Sequence, residues 1–328
     1  MRAKKEAVAV LTALCDEEIE RTVALWNRVL TSDKLTEARL RAQLLEDENY
    51  DPQLFLLARE GEKIIGFAAG IRRRVPYYER GLQPDTGWLL AFGVAPEAQR
   101  HGVGSALLAE LGQRFAAAGV RRLVVGMYSP GYFMPGVDCA HYPAARPFLA
   151  AHGCRFGAQH TAMCRTLFDY AIPESVQKKR AAAETAGYRF ARYADGQAET
   201  LCSFVQANFT AGWLNNAKEL IRRGAAAQQT WLCFAPDGSL AGYVQRGMGD
   251  HPSRFGPFGV RADLRDAGLG IVLLDLMLED MSERGLYLVY FMTTDAAGAR
   301  IYARYGFAPY RSFLEAELPL GPAQGKNS

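Results

Sequence analysis

Two stretches of the chain share one pattern. Residues 92–108 are FGVAPEAQRHGVGSALL, and a second stretch that begins at Phe258 is FGVRADLRDAGLGIVLL. In both, Phe-Gly-Val is followed by a polar loop, by Gly-x-Gly and by a pair of leucines. An internal repeat constrains the fold before any other feature does, because both copies must adopt the same local structure. The chain is therefore expected to contain one domain twice.

The repeat extends beyond these stretches. Gly66 corresponds to Gly242 upstream, and Gly153 corresponds to Gly306 downstream. The offset between the copies changes near PYYERGLQPD and SPGYFMPGVDCAH, which are rich in turn residues, as expected for loop insertions. A polar, Ala-rich segment between the copies predicts a linker. The predicted division is an N-terminal domain at 1–170, a linker at 171–187 and a C-terminal domain at 188–328.

Each copy has the same predicted order of elements. Two strands joined by a glycine turn are followed by a third strand, a loop, a helix that begins at Gly-x-Gly, a buried strand, another helix and a last strand. Gly119 and Gly285 stand where that first helix should end. Apolar residues recur in it every four positions, as in a helix packed on a sheet. They are Val103, Leu107, Leu111 and Phe115 in the first copy and Leu269, Leu273, Met277 and Met281 in the second.

The composition excludes several functional classes. The formal net charge of +3 is too small to favour nucleic acid or a membrane surface as a partner. The six cysteines form no C-x-x-C pair and the five histidines are dispersed, so we expect no metal site and free thiols in a reducing cytoplasm. Neither a signal peptide nor the ~18–20 apolar residues of a membrane span is recognisable. We therefore expect a cytoplasmic protein.

The Gly-x-Gly loop has the form of an anion-binding site. The first backbone N–H groups of a helix have no partner within the helix, and the helix dipole places partial positive charge there. Glycines keep Cβ atoms away from a bound phosphate, although they can also serve only close packing between helix and sheet. No P-loop sequence is present, and the third glycine of G-x-G-x-x-G is replaced by Leu107 and Leu273.

The first copy resembles a known family at this loop. Val94–Gly104 fits V-x-P-x-x-Q-R-x-G-x-G, which is similar to motif A of the GCN5-related N-acetyltransferases, the GNAT superfamily. In that family the loop binds the pyrophosphate of acetyl-CoA, and the preceding strand hydrogen-bonds the pantetheine arm. Because the resemblance covers both copies, it implies a tandem α/β protein. Each domain would be a mostly antiparallel mixed sheet with a splayed central strand pair flanked by helices.

The resemblance also implies which residues hold acetyl-CoA. In the first copy they are Phe92, Val94, Gln99, Arg100, His101, Gly102, Val103, Gly104 and Ser105. In the second copy they are Phe258, Val260, Arg265, Asp266, Ala267, Gly268, Leu269, Gly270 and Ile271.

A late helix of the second copy carries the candidate catalytic acid. IYARYGF, residues 301–307, is similar to the family's F-Y-x-x-x-G-F, which implies that Tyr302 protonates the leaving thiolate. The other role open to Tyr302 is packing. The first copy has Leu149 at this place. Asp85 and His251 are candidate bases or surface-turn residues, and RRRVPYYER, residues 72–80, is a candidate acceptor site or a solvated strand end.

The two copies differ in charge and in chemistry. In the first loop only Glu97 opposes the basic and amide side chains, whereas Asp263 and Asp266 accompany Arg265 in the second and would repel a pyrophosphate. Three arrangements stay open. The second copy is the catalyst, or the first is the catalyst with Tyr132 or Tyr142 as acid, or the first binds cofactor and shapes the acceptor site for the second.

The leading hypothesis is an acetyl-CoA-dependent N-acetyltransferase. It would transfer acetyl to a primary amine of a small molecule by direct attack in a ternary complex. A second hypothesis is an acyl-CoA-binding pseudoenzyme that acts as a sensor or interaction module, motivated by Leu149 and Asp266. A Rossmann-type nucleotide enzyme is a third, and it is disfavoured because the strands before the motif form a hairpin pattern.

Overall fold

The structure is a computed structural model that describes residues 9–12, 14–131 and 133–321. For residues 9–12, Asp250 and Asp266 it describes the backbone alone. Tyr132, one of the candidate acids, lies outside the described residues.

The helices and strands follow the predicted order in both copies. Up to residue 166 they are β1 (Ala9–Thr12), α1 (Asp16–Val29), α2 (Glu37–Leu40), β2 (Phe55–Glu60), β3 (Lys63–Arg72), β4 (Thr86–Val94), α3 (Val103–Ala117), β5 (Arg122–Val125), α4 (Ala145–Ala151) and β6 (Arg155–Thr166). After it they are α5 (Glu174–Thr185), β7 (Arg189–Arg192), α6 (Ala198–Asn208), α7 (Ala211–Arg222), α8 (Ala226–Gln229), β8 (Thr230–Phe234), β9 (Leu240–Arg246), β10 (Phe255–Val260), α9 (Leu269–Glu283), β11 (Leu288–Thr294), α10 (Ala296–Ala303) and β12 (Ala308–Pro319). The predicted α/β fold is confirmed.

Packing groups the chain into two compact units. The first unit contains the residues up to His160 and those from Arg311 onward, and the second unit is Thr161–Tyr310. These units do not coincide with the predicted segments 1–170 and 188–328. The reason lies in strand pairing, because residues 161–166 of β6 pair with β11 and the end of β12 pairs with β5. The first unit is therefore completed by the last strand of the chain.

The first unit contains a mixed sheet that opens at its centre. Strands β1 to β4 are antiparallel neighbours, and β4 runs parallel to β5. The parallel pairing begins at Thr86 with Arg122 and ends at Leu89 with Val125. Beyond Leu89, β4 continues to Val94 without β5 beside it. This divergence is the predicted splayed strand pair.

The second unit has a four-stranded antiparallel sheet in the order β10-β9-β8-β7. Strand β11 pairs instead with residues 161–166 of β6. Between β10 and β11, the described residues form one isolated parallel bridge, from Arg254 to Tyr290. The central strands of this unit are therefore splayed as well.

The helices after Gly-x-Gly pack on their sheets through the predicted stripes, all of which are buried. Helix α9 is also buried on its opposite face, because α5 of the predicted linker packs against it. Helix α5 begins after Pro173, as predicted, and buries Val176 and Ala183. Burial of both faces explains why far more residues are buried in α9 than in α3.

Two pairs of repeated glycines show why the pattern recurs. A Cβ at Gly93 would lie 2.5 Å from Val29, and a Cβ at Gly259 would lie 2.4 Å from Phe209, so each strand needs glycine where a helix crosses it. Gly119 and Gly285 instead have φ of +82° and +74°, as helix C-caps do. Among the described residues, no helix is both long and apolar enough to cross a membrane.

Candidate functional site

A cleft opens in the first unit where β4 and β5 part. The last backbone link between the two strands is the Gly126 N–H, which donates to the Leu89 carbonyl at 2.8 Å. Past this point the cleft has a volume of about 740 Å³. Its apolar wall includes Leu89, Phe92, Val125, Phe148 and Leu149. A cavity of this size between two strands accommodates the extended part of a cofactor.

The predicted phosphate loop forms one end of this cleft. Gly102 caps α3 with φ of +84°, no side chain caps the first turn, and a Cβ at Gly102 would meet nothing within 4 Å. The Gln99 amide donates to the Val94 carbonyl at 3.0 Å, which holds the loop against the end of β4. The open helix N-terminus therefore offers unpaired N–H groups to an anion.

Most of the predicted cofactor residues of the first copy line the cleft. Those that do are Phe92, Val94, Gln99, Arg100, Gly102, Gly104 and Ser105. Val103 does not, because it belongs to the buried stripe of α3. His101 is exposed in the turn before the helix.

The acidic residue of this loop is neutralised. Lys63 and Arg28 contact the Glu97 carboxylate at 2.6 and 3.0 Å. These hydrogen bonds, the one from Lys63 above all, lower the pKa of Glu97 to about 2. Glu97 is therefore directed towards cations of α1 and β3, which reduces its opposition to a phosphate at the helix N-terminus.

A histidine braces the first turn of α3. His152 Nε2 lies 3.0 Å from the Ser105 hydroxyl, and His152 Nδ1 lies 2.8 Å from the Phe148 carbonyl oxygen. The carbonyl requires a proton on Nδ1, so Nε2 accepts from Ser105 when the ring is neutral. The Phe148 ring stacks on Phe92 with centroids 5.3 Å apart. These contacts hold α4 beside the phosphate loop.

A charged cluster also borders the cleft. Arg311 of β12 donates two hydrogen bonds of 2.8 Å to Asp33 and one of 2.7 Å to Asp138. Tyr142 donates to Asp33 at 2.6 Å, and both Asp138 and Tyr142 line the cleft. Burial and this hydrogen bond raise the pKa of Tyr142 well above its usual value. Tyr142 is therefore poorly suited to release a proton.

The corresponding loop of the second unit is more enclosed. Gly268 also caps its helix with a positive φ, of +72°, but a Cβ there would lie 3.7 Å from Lys179 of α5. Ile271, which corresponds to the exposed Ser105, is buried. Asp263 pairs with Arg261 at 2.8 Å, so a neighbouring cation offsets its charge.

Aromatic rings occupy the position of the cleft in the second unit. The residues that correspond to Leu89, Val125, Leu149 and Cys154 are Phe255, Phe291, Tyr302 and Phe307. Tyr302 lies 4.5 Å from Phe291, 5.5 Å from Phe307 and 6.3 Å from Phe255, measured between ring centroids. Larger rings thus pack together where the first unit has aliphatic side chains around open space.

Tyr302 is the centre of this aromatic cluster. Burial raises its pKa well above the usual value, which keeps the hydroxyl protonated. The packing role that was open to Tyr302 accounts for these contacts. Its assignment as the catalytic acid stays a prediction.

The remaining candidates are dispersed. The Asp85 carbonyl accepts the N–H groups of Arg121 and Arg122, which places Asp85 in the turn before β4. His251 is in the corresponding turn before β10, in the second unit. Within residues 72–80, Arg73 is buried, with its guanidinium 4.4 Å from the Tyr77 ring centroid.

No group of acidic, Cys or His residues among those described has the arrangement of a metal site.

Sequence reasoning did not identify Asp33, Asp138, His141 or Arg311. Asp138 and His141 lie in the insert SPGYFMPGVDCAH, and the short spacing D-x-x-H is their one local signal. Arg311 had no signal, because its role depends on the return of β12 to the first unit.

Comparison with known proteins supports the resemblance at the loop. Residues 19–130 match the family model described as Acetyltransferase (GNAT) family. Comparison with curated protein sequences gave no match. The family match confirms the resemblance predicted from Val94–Gly104.

Solved structures share the fold over nearly the whole chain. A fungal multi-domain GH3 β-N-acetylglucosaminidase with a GCN5-related glucosamine N-acetyltransferase region aligns with a TM-score of 0.80 at 20% identity, over 95% of this chain and 38% of that one. A GCN5-related N-acetyltransferase from Sphaerobacter thermophilus aligns with a TM-score of 0.70 at 15% identity, over 97% of both chains. A tandem GNAT protein from the clavulanic acid biosynthesis pathway aligns with a TM-score of 0.63 at 18% identity, over 97% and 99%. At these identities the likeness shows the tandem fold.

Proposed function

We propose that the first unit of this chain, which matches the GNAT family model within a tandem GNAT-like fold, is an acetyl-CoA-dependent N-acetyltransferase. It would transfer an acetyl group to a primary amine of a small molecule by direct attack in a ternary complex. The observation that carries the proposal is the open cleft of the first unit, whose lining includes both the uncapped N-terminus of α3 and Asp138, the partner of Arg311.

The residues of the first unit suit the parts of acetyl-CoA. The first-turn N–H groups of α3, with Arg100 and Gln99 beside them, would hold the pyrophosphate. The part of β4 after Leu89 that has no β5 beside it would hydrogen-bond the pantetheine arm on that side, and Phe92, Phe148 and Leu149 would cover it. When bound, acetyl-CoA would supply an activated acetyl thioester in this cleft.

The residues of the chain would stabilise the charge that develops in the reaction and would orient the acceptor amine. Backbone N–H groups of β4 that have lost their strand partner are placed to stabilise an oxyanion. Asp138, which lines the cleft and is held by Arg311, would help to orient the acceptor beside the thioester carbonyl. The second unit, with its filled space and enclosed loop, is assigned no catalytic role in this proposal.

One structural relative suggests which acceptor to test first. The fungal protein is named for a glucosamine N-acetyltransferase region, so glucosamine is the first amine to test as an acceptor for this chain. Other primary amines follow, because the fold does not determine the acceptor.

Calorimetric titration with acetyl-CoA, followed by a thiol-release assay with each amine, tests the proposal. We expect one equivalent of acetyl-CoA to bind and at least one amine to yield free coenzyme A and an acetylated product of the expected mass. Binding without transfer to any amine would favour the alternative of an acyl-CoA-binding module, which Leu149 at the place of the family tyrosine also suggests. Absence of binding would contradict both.

A further inference from the structure

Asp138 and His141 form a carboxylate–imidazole pair after β5. His141 Nδ1 lies 2.8 Å from Asp138 Oδ2, within a turn in which Asp138 Oδ1 accepts the backbone N–H groups of Ala140 and His141 at 3.0 Å. The Asp138 side chain is fully buried, whereas that of His141 is 41% exposed. The pair therefore has one enclosed member and one that solvent and ligands can reach.

The surroundings of Asp138 determine the state of the pair. Burial alone would raise the pKa of Asp138, but the hydrogen bonds from the His141 backbone and from Arg311 outweigh it and lower the pKa. Asp138 is thus a carboxylate and can only accept. Neutral His141 must then carry its proton on Nδ1, which leaves a lone pair on Nε2.

The position of the pair relates it to the cleft. Asp138 and Tyr142, which flank His141 in the sequence, both line the cleft. His141 is not itself among the lining residues, but it lies between two residues that are, and its side chain is exposed. An acceptor held in the cleft beside Asp138 and Tyr142 would therefore lie close to it.

We propose that His141 is the general base that removes a proton from the acceptor amine in the first unit. The inference rests on the proposed acetyltransferase function. The protonated acceptor gives a proton to His141 Nε2, and the neutral nitrogen forms a bond to the acetyl carbon. The bond from that carbon to sulfur breaks, the sulfur leaves as thiolate and takes a proton from solvent, and the second amine proton passes to water.

Asp138 and Arg311 are positioning residues in this arrangement. Asp138 fixes the imidazole tautomer, and Arg311 fixes Asp138 through its Nε at 2.7 Å. The charged and titratable groups that meet around His141, among the described residues, are Asp138, Arg311, Asp33 and Tyr142. Arg311 forms ion pairs with both Asp33 and Asp138, so it does not fully neutralise Asp138. The Asp138 carboxylate can therefore still accept a hydrogen bond from the imidazole.

His141→Gln tests the assignment in the full chain, with His160→Gln as the matched control. His160 forms a similar pair with Glu315 at 2.6 Å, but neither Glu315 nor the residues beside His160 in the sequence line the cleft, whereas Asp138 and Tyr142 do. We expect His141→Gln to lower kcat about 10²–10⁴-fold, the usual contribution of a general base, with the acetyl-CoA Kd from calorimetry unchanged.

The tautomer of His141 can be measured without any substrate. Nitrogen-detected NMR of the wild-type protein should show the Nδ1–H tautomer for the signal that is missing in His141→Gln. The signal missing in His160→Gln should show Nε2–H, because His160 contacts Glu315 through Nε2.

The outcomes separate the two proposals. If the wild type acetylates an amine and His141→Gln keeps its kcat, or if His141 is an Nε2–H tautomer, the base assignment is overturned and the proposed function stands. If the wild type acetylates no amine, the proposed function falls and the base assignment falls with it.

Discussion

Gly102 and Gly268 begin corresponding helices of the two units, and their backbones differ little, with φ of +84° and +72°. A Cβ at Gly102 would face open space, whereas one at Gly268 would meet Lys179. Beyond the first loop lies a cleft of about 740 Å³, and in the corresponding place of the second unit Phe255, Phe291 and Tyr302 pack against one another.

This contrast shows that the loop pattern and the site are separate properties. The glycine positions are retained in both units because the backbone turn and the helix–sheet packing require them. A ligand also needs space, and space depends on residues that the loop sequence does not include, such as Leu149 in the first unit and Tyr302 in the second.

The largest expected difference between the units is their ability to fold alone. Fragment 161–310 contains the whole of its unit, whereas fragment 1–160 lacks Arg311 and the fully buried Phe313 of β12. We expect 161–310 to unfold cooperatively in urea and 1–160 to show no cooperative transition by circular dichroism. A synthetic 308–321 peptide should restore the transition of 1–160. Cooperative unfolding of 1–160 without the peptide would show that the first unit does not need β12 in order to fold.

The next effect concerns cofactor binding. Gly102→Glu and Gly268→Glu place the same carboxylate at helix N-termini with the same left-handed backbone, so the strain of about 1–2 kcal/mol is matched. We expect Gly102→Glu to weaken acetyl-CoA binding by at least ~100-fold through repulsion of the phosphates, and Gly268→Glu to leave the calorimetric Kd unchanged. If Gly268→Glu abolished binding and Gly102→Glu did not, the second unit and not the first would be the one that binds acetyl-CoA.

A smaller effect is expected when the first cleft is made to resemble the second. Leu149→Phe adds a ring at the place of Tyr302, and the acetyl-CoA Kd should rise about tenfold because the pantetheine arm loses space. Leu149→Met, which nearly conserves volume, serves as the control and should stay within about twofold. An unchanged Kd in Leu149→Phe would show that the arm passes elsewhere.

The smallest expected effect is at Tyr302. Tyr302→Phe removes the hydroxyl and keeps the ring in the aromatic cluster, so turnover at saturating substrates should stay within about twofold of the wild type. A catalytic acid would instead produce a fall of about 10²–10⁴-fold. The urea midpoint of each variant checks that a change in turnover does not reflect loss of folded protein.

The duplication, the order of elements and the tandem fold followed from the sequence alone. So did the buried stripe of α3 and the place of the Gly-x-Gly loop, most of whose predicted cofactor residues line the first cleft. These features are local, since helical and strand periodicity and the need for glycine at a positive φ act within a few residues of the chain.

Only the tertiary structure decided which copy has an open cleft. It also decided that β12 returns to the first unit, where Arg311 meets Asp33 and Asp138. Such contacts join residues far apart in the chain, and a single sequence contains no periodic signal for them. Whether a space stays open depends on the volumes of side chains from several strands and helices at once, which is settled when those elements pack.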